Sequence, residues 1–146
     1  MTIGNAQAAW PTAAFSRTSD GEGVALIEVK VGGEAMMTIY AGEDASNPAL
    51  DPRGRVEHIE TFSNQCVTAQ GIRPGMRISD AESILGKVTL ISKSEIESRE
   101  FVEFANNPGS LTIRLDYTGI FGQDSVETTR FAPEAKILSV AIASRG

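Results

Sequence analysis

The chain has 146 residues, 41% of them hydrophobic, and its 13 Lys and Arg against 19 Asp and Glu leave a net charge of −6. That length is enough for one domain whose core needs neither disulfide nor metal. An acidic chain with no basic cluster excludes the phosphate-neutralising surface that nucleic-acid binding requires. No run reaches the ~18 apolar residues of a membrane span, and no basic amphipathic helix suits a membrane surface.

Residues 1–22 are rich in Ala, Thr, Ser and Gly and lack a sustained period. They read as a flexible or draped N-terminal arm, ahead of a single domain over 23–146. Trp10 and Phe15 are expected to pin that arm. The opening has no basic n-region and no uninterrupted apolar core, so it is not an intact signal peptide. Its small-residue-rich composition fits the stretch after a cleavage site. That leaves either a mature periplasmic or secreted form or a cytoplasmic protein.

From Val24 the pattern changes. Ala25, Ile27, Val29 and Val31 alternate with Leu26, Glu28 and Lys30, a strand with one largely polar face. Gly32-Gly33 separates it from a second strand over 34–40. Two glycines there predict a hairpin, because both central positions of a type I′ turn need positive φ. Residues 41–54 (AGEDASNPALDPRG) read as a loop. Its Glu43, Asp44, Ser46, Asn47 and Asp51 offer oxygen ligands to a hard cation such as calcium, but the EF-hand spacing is missing and no metal site is assigned.

Residues 56–61 and 66–69 read as strands. Cys66 is the sole cysteine, so no intrachain disulfide can form, and it reads as a small buried hydrophobe. His58, the sole histidine, shares a strand face with Glu60, and a carboxylate can orient a His for base work. No nucleophile or substrate clamp accompanies it, so the structural reading outweighs the catalytic one.

The segment 71–86, GIRPGMRISDAESILG, holds several agreeing local signals. Ser79 as N-cap with Glu82 three residues on forms a capping box, and Gly86 supplies the stop. Together they predict one short helix over about 79–85, with Ala81, Ile84 and Leu85 on its apolar side. Just before it, backbone N–H groups around Gly71 and Gly75 can cradle an anion, with Arg73 and Arg77 adding charge. Neither phosphate-loop nor dinucleotide fingerprint is present. A turn that aims the helix is the plainer reading, and Arg73 and Arg77 stand as candidate binding residues.

After Gly86, residues 88–92, 99–105 and 111–117 read as strands, the last two joined by Asn106-Asn107-Pro108-Gly109 in a hairpin. Leu111, Ile113, Leu115 and Tyr117 share one face of the third. The acidic stripe Glu95, Glu97, Glu100 and Glu103, interleaved with Arg99, could supply paired carboxylates for acid–base work. Alternation instead favours a solvated face with cross-strand partners such as Lys93 or Arg114. Residues 118–133 are irregular, and 136–143 form a closing strand with Leu138, Val140 and Ile142 on one side. The class is α+β: a mostly antiparallel sheet with hairpins and one short capped helix.

Thr68-Ala69-Gln70-Gly71-Ile72, Pro74-Gly75-Met76, Ser79-Asp80-Ala81-Glu82 and Gly86 together resemble a helix-entry motif of small exported bacterial proteins of unknown function. The stretch is also distantly similar to the entry of BamE/SmpA outer-membrane assembly lipoproteins and of beta-lactamase-inhibitor-like domains. About twenty residues carry the likeness. The long strand-rich region before the motif, and the lack of a second helix or a lipid-bearing Cys, depart from the BamE-like plan. The resemblance implies an extracytoplasmic setting and a binding role, and it transfers no catalytic residue.

The expected function is therefore a non-enzymatic, extracytoplasmic bacterial binding domain, with no cofactor, whose partner is a protein or a cell-envelope component. Arg114 and Asp116 on the 111–117 strand, and Ile120 and Phe121 in the following loop, are the candidate contacts, with Ile120-Phe121 either an exposed anchor or a buried plug. The alternatives are a small enzyme using dispersed carboxylates and His58, or a calcium-stabilised module. Nothing in the sequence specifies an oligomeric state.

Overall fold

The computed structural model describes residues 1–42 and 49–144. Of the acidic loop, Glu43, Asp44, Ser46 and Asn47 lie outside the described residues. Asp51 lies within them, and its carboxylate accepts the Arg53 N–H at 3.0 Å.

In chain order the elements are α1 (Ile3–Ala9), β1 (Ala14–Ser19), β2 (Ala25–Val31), β3 (Glu34–Tyr40) and β4 (His58–Thr61). They continue with α2 (Ile78–Leu85), β5 (Val88–Lys93), β6 (Glu100–Phe104), β7 (Leu111–Leu115), β8 (Glu127–Thr128) and β9 (Ile137–Ala143). The described residues form an α+β arrangement, mostly antiparallel sheet with two short helices. It divides into two compact units, Met1–Thr61 with the chain end from Ile142, and Phe62–Ala141.

In the first unit the strands run in the order β1-β2-β3-β4, all neighbours antiparallel. Residues 1–22, read from sequence as an arm, carry α1 and the edge strand β1. A reciprocal pair starts α1: the Thr2 hydroxyl accepts the Asn5 N–H, and the Asn5 side chain accepts the Thr2 N–H. The Ile3 and Gly4 N–H groups donate to the carbonyls of Gly54 and Pro52, each at 2.8 Å. Ile3 is thereby sunk completely into a core with Ile27, Val29, Ile39 and Val56, against which Trp10 and Phe15 pack. Seven residues are too few for a helical period to show, so the helix was invisible to pattern reading. Between β2 and β3 the chain turns on Gly32 (φ 60°) and Gly33 (φ 81°), backbone that side chains rarely adopt.

In the second unit the order is β9-β7-β6-β5-β8, with β7-β6, β6-β5 and β5-β8 antiparallel. Its core gathers Ile91 from β5, Val102 and Phe104 from β6, Leu111, Ile113 and Leu115 from β7, and Ile78, Ala81 and Leu85 from α2. Each such side chain taken fully from water contributes about 1.5–3 kcal/mol.

Three local expectations are corrected. First, α2 begins at Ile78 with Arg77 as its N-cap and no side-chain cap bond, so Ser79 and Glu82 form no capping box. The Ile78 N–H is held by the Ala135 carbonyl at 2.9 Å, and the N-cap lies two residues before Ser79. Glu82 turns the other way and accepts the Val88 N–H at 3.0 Å. The buried face runs through Ile78, Ala81 and Leu85, and Ile84 is exposed. Second, residues 66–69 form no strand but run through turns, closed by the Thr68 N–H on the Ile72 carbonyl at 2.9 Å, with Cys66 half-buried. Third, the irregular 118–133 segment holds β8 and a bridge from Gly119 to Phe131.

Candidate functional site

The acidic stripe does not exist as one face. Glu95 and Glu97 lie in the turn between β5 and β6, where Glu97 pairs with Arg99 at 2.8 Å. Glu103 points outward and is exposed, whereas Glu100 has the parity of Val102 and Phe104 and lies on the core side of β6, 3% exposed. A carboxylate among core side chains needs compensation, because burial without partners costs several kcal/mol. One comes from the chain that leaves β7: the Gly119 N–H donates to Glu100 Oε1 at 2.8 Å. A second is Lys93, directly opposite Glu100 in the β5–β6 register.

Only glycine fits at 119. A Cβ there would stand 2.4 Å from Glu100 Oε1 and 2.8 Å from Phe121 Cε2. The backbone on either side is held as well, since the Ile120 N–H donates to the Arg130 carbonyl and the Ala132 N–H to the Thr118 carbonyl, both at 2.9 Å. The 116–121 segment is thus braced at three points. Just ahead of Gly119, the Thr118 hydroxyl donates a short hydrogen bond to Asp116 Oδ1.

Glu100 is also the electrostatic feature of this site. Burial pushes its carboxyl above the ordinary carboxylate range. The Gly119 N–H and the Lys93 charge pull it back, and the Asp116 charge raises it again. Lys93 in turn places its ammonium 4.3 Å from the centre of the Phe121 ring, a cation–π distance.

Of the residues singled out from sequence, Asp116, Ile120 and Phe121 belong to this braced segment. Phe121 packs against the core, while Ile120 is 42% exposed, so the anchor-or-plug question divides between the two neighbours. Arg114 has the opposite parity on β7 and faces away from Glu100's side. Although 9% exposed, its guanidinium lies 5.6 Å from the Phe62 ring centre and donates to the Tyr117 hydroxyl at 3.3 Å. Tyr117 leaves the strand alternation altogether: its φ is 64° and the residue is 55% exposed. Arg73 and Arg77 line a separate cleft. His58 lies in the first unit, stacked on Tyr40 with ring centres 4.1 Å apart. Among the described residues no group of three or more His, Cys, Asp and Glu is arranged to hold a metal ion.

Glu100 was weighed in the acidic stripe and set aside as solvated, Lys93 entered only as a cross-strand partner, and Tyr117 and Gly119 were not singled out as candidates. A signal existed for the first: once Phe101 and Glu103 are placed on the outer face, Glu100 must join Val102 and Phe104 on the inner one. Gly119 offered none, since its constraint comes from a side chain on another strand.

No protein-family profile matches the chain, and no curated protein matches it. Among solved structures, the uncharacterized protein YfeY from Escherichia coli is similar, with a TM-score of 0.58 at 10% identity over 98% of this chain and 90% of that one. At that identity the likeness concerns the fold alone. No helix of the described residues is long and apolar enough to cross a membrane.

Proposed function

We propose that this chain is a non-catalytic bacterial binding domain that works outside the cytoplasm and holds a protein or envelope component through its 116–121 segment. The observation that supports it best is Tyr117. A bulky residue is kept at positive φ, at a cost of about 1–3 kcal/mol, yet 55% of it remains in solvent. Its hydroxyl accepts from the Arg114 guanidinium at 3.3 Å, and the exposed remainder of the side chain is left for a partner. Ile120 stands three residues on, exposed on a backbone held at both sides, so two apolar contacts are offered without an ordering cost on binding. The extracytoplasmic setting rests on the helix-entry resemblance of 68–86.

The test places a photoreactive residue at position 120, and as a control at exposed Val67, in cells that make the protein. A discrete adduct from position 120, absent at 67 and lost with Tyr117→Ser, supports the reading. Equal adducts from both positions, or none from 120, defeat it. Fractionation of the same cells decides the compartment.

Glu100 supports one rival. A carboxyl with raised pKa beside a second carboxylate is the usual arrangement of a general acid. Against it, Oε1 is engaged by Gly119 and the residue is 3% exposed, leaving little of it open to a substrate.

A further inference from the structure

A second feature, independent of the 116–121 segment, lies at the start of α2. A cleft of about 570 Å³ opens there, lined by Asn64, Arg73, Met76, Arg77, Asp80 and Lys136 among others. Arg77 and Lys136 meet as partners in an antiparallel bridge. Their backbones are held by flanking bonds: Gly75 N–H to the Ile137 carbonyl and Ile137 N–H to the Met76 carbonyl, both at 2.8 Å, and Ile78 N–H to the Ala135 carbonyl at 2.9 Å. Two cations directly opposite each other in a ladder repel. Arg73 adds a third.

Nothing within the described residues relieves that repulsion by contact. Arg73, Arg77 and Lys136 make no ion pair and no side-chain hydrogen bond there, and Asp80, the sole carboxylate lining the cleft, is within ion-pair distance of none of them. The cleft keeps an excess of two positive charges in a chain whose net charge is −6. The N-terminal end of α2, which has Asp80 in its first turn and no side-chain cap, also opens on this cleft.

We propose that this cleft binds a phosphate group carried on a small organic body. Arg73, Arg77 and Lys136 line one cleft, and a guanidinium can bond phosphate oxygens bidentately. The volume is within the range of small-molecule sites and leaves room for more than the phosphate itself. A free phosphorylated metabolite and a phospholipid headgroup present the same chemistry, and the experiment separates them.

Amide chemical shifts of the full chain are followed by NMR at low ionic strength during titration with glycerol 3-phosphate, and in parallel the chain is sedimented with phosphatidylglycerol vesicles. Saturable shifts centred on residues 75–80 and 136 are expected. The Arg73→Gln/Arg77→Gln pair, both exposed, weakens binding by roughly tenfold or more. Asp80→Asn removes the competing charge and tightens binding by about two- to threefold, a gain that damage to the fold cannot imitate. Vesicle binding abolished by the double Arg variant, without shifts from the free compound, supports the site with the headgroup as its source. Shifts spread evenly over surface cations, no saturable response to either probe, or unchanged affinity in the double variant overturns the proposal.

Discussion

Replacing Gly119 by Ala is the sharpest test of how the 116–121 segment is held. The added Cβ would lie 2.4 Å from Glu100 Oε1, 2.8 Å from Phe121 Cε2 and 3.2 Å from Phe121 Cζ. Neither neighbour can swing freely, since Glu100 is buried among core side chains and Phe121 packs on that core. Pushing the carboxylate away breaks its hydrogen bond to the Gly119 N–H, and losing a charged bond of that kind costs about 1.5–3 kcal/mol. Displacing the ring adds roughly 1 kcal/mol of overpacking strain. The expected loss is about 2.5–4 kcal/mol, read as a shift of the urea midpoint at constant m and a fall in Tm of about 7–16 °C. Gly122→Ala is the control, because its Cβ would meet only Ser125 Cβ at 4.0 Å. That change is expected to stay within about 0.5 kcal/mol. The decisive comparison uses Glu100→Ala as background, where the worse clash is gone and Gly119→Ala should cost less by about 1 kcal/mol or more. A Gly119→Ala protein as stable as wild type would refute the reasoning, as would an equal cost in both backgrounds.

Three further outcomes are expected. Glu100 has a raised pKa, chiefly from burial, so the native state holds its proton more tightly than the unfolded chain does. Its stabilising contribution is therefore complete below about pH 4 and is lost as pH rises through the raised value. Denaturation at several pH values should show Glu100→Gln gaining on wild type toward neutral pH, and a gap that stays constant would contradict the burial argument. Ile3→Ala should cost about 2–5 kcal/mol in urea melts, since Ile3 is fully buried. A loss below half a kilocalorie would mean that the N-terminal helix is not part of the folded unit. Tyr117→Gly relieves a positive φ but also removes the hydroxyl that accepts from the buried Arg114 guanidinium, so stability should fall by no more than about 2 kcal/mol while partner capture weakens. Undiminished capture would remove Tyr117 from the proposed surface.

Much of the sheet in both units was legible because its strands satisfy a local rule. The parity of Leu111, Ile113 and Leu115 follows from a period of two, and Gly32-Gly33 follows from the φ that a tight turn needs. Those are properties of a few neighbouring residues, and they place β2, β3 and β7 within a residue or two. Asp116 was singled out as a polar position of the 111–117 strand, and Ile120 and Phe121 as apolar positions of the loop after it. The sequence also determined the class, because alternating strands with only short helical stretches leave little but an α+β arrangement.

What the tertiary structure decided depended on residues far apart in the chain. The start of α2 was settled by the Ala135 carbonyl rather than by Ser79, because a backbone bond from another segment outweighs a side-chain cap. Ile3 became core only through bonds from its helix to Gly54 and Pro52, and Arg77 met Lys136 only through a bridge between distant segments. Glu100 looked like one of four solvated glutamates and became a buried carboxylate because a glycine from beyond the next strand closes over it. Local propensity is written in each residue and its neighbours. Desolvation, like-charge crowding and close backbone approach exist only once the chain has brought its distant parts together.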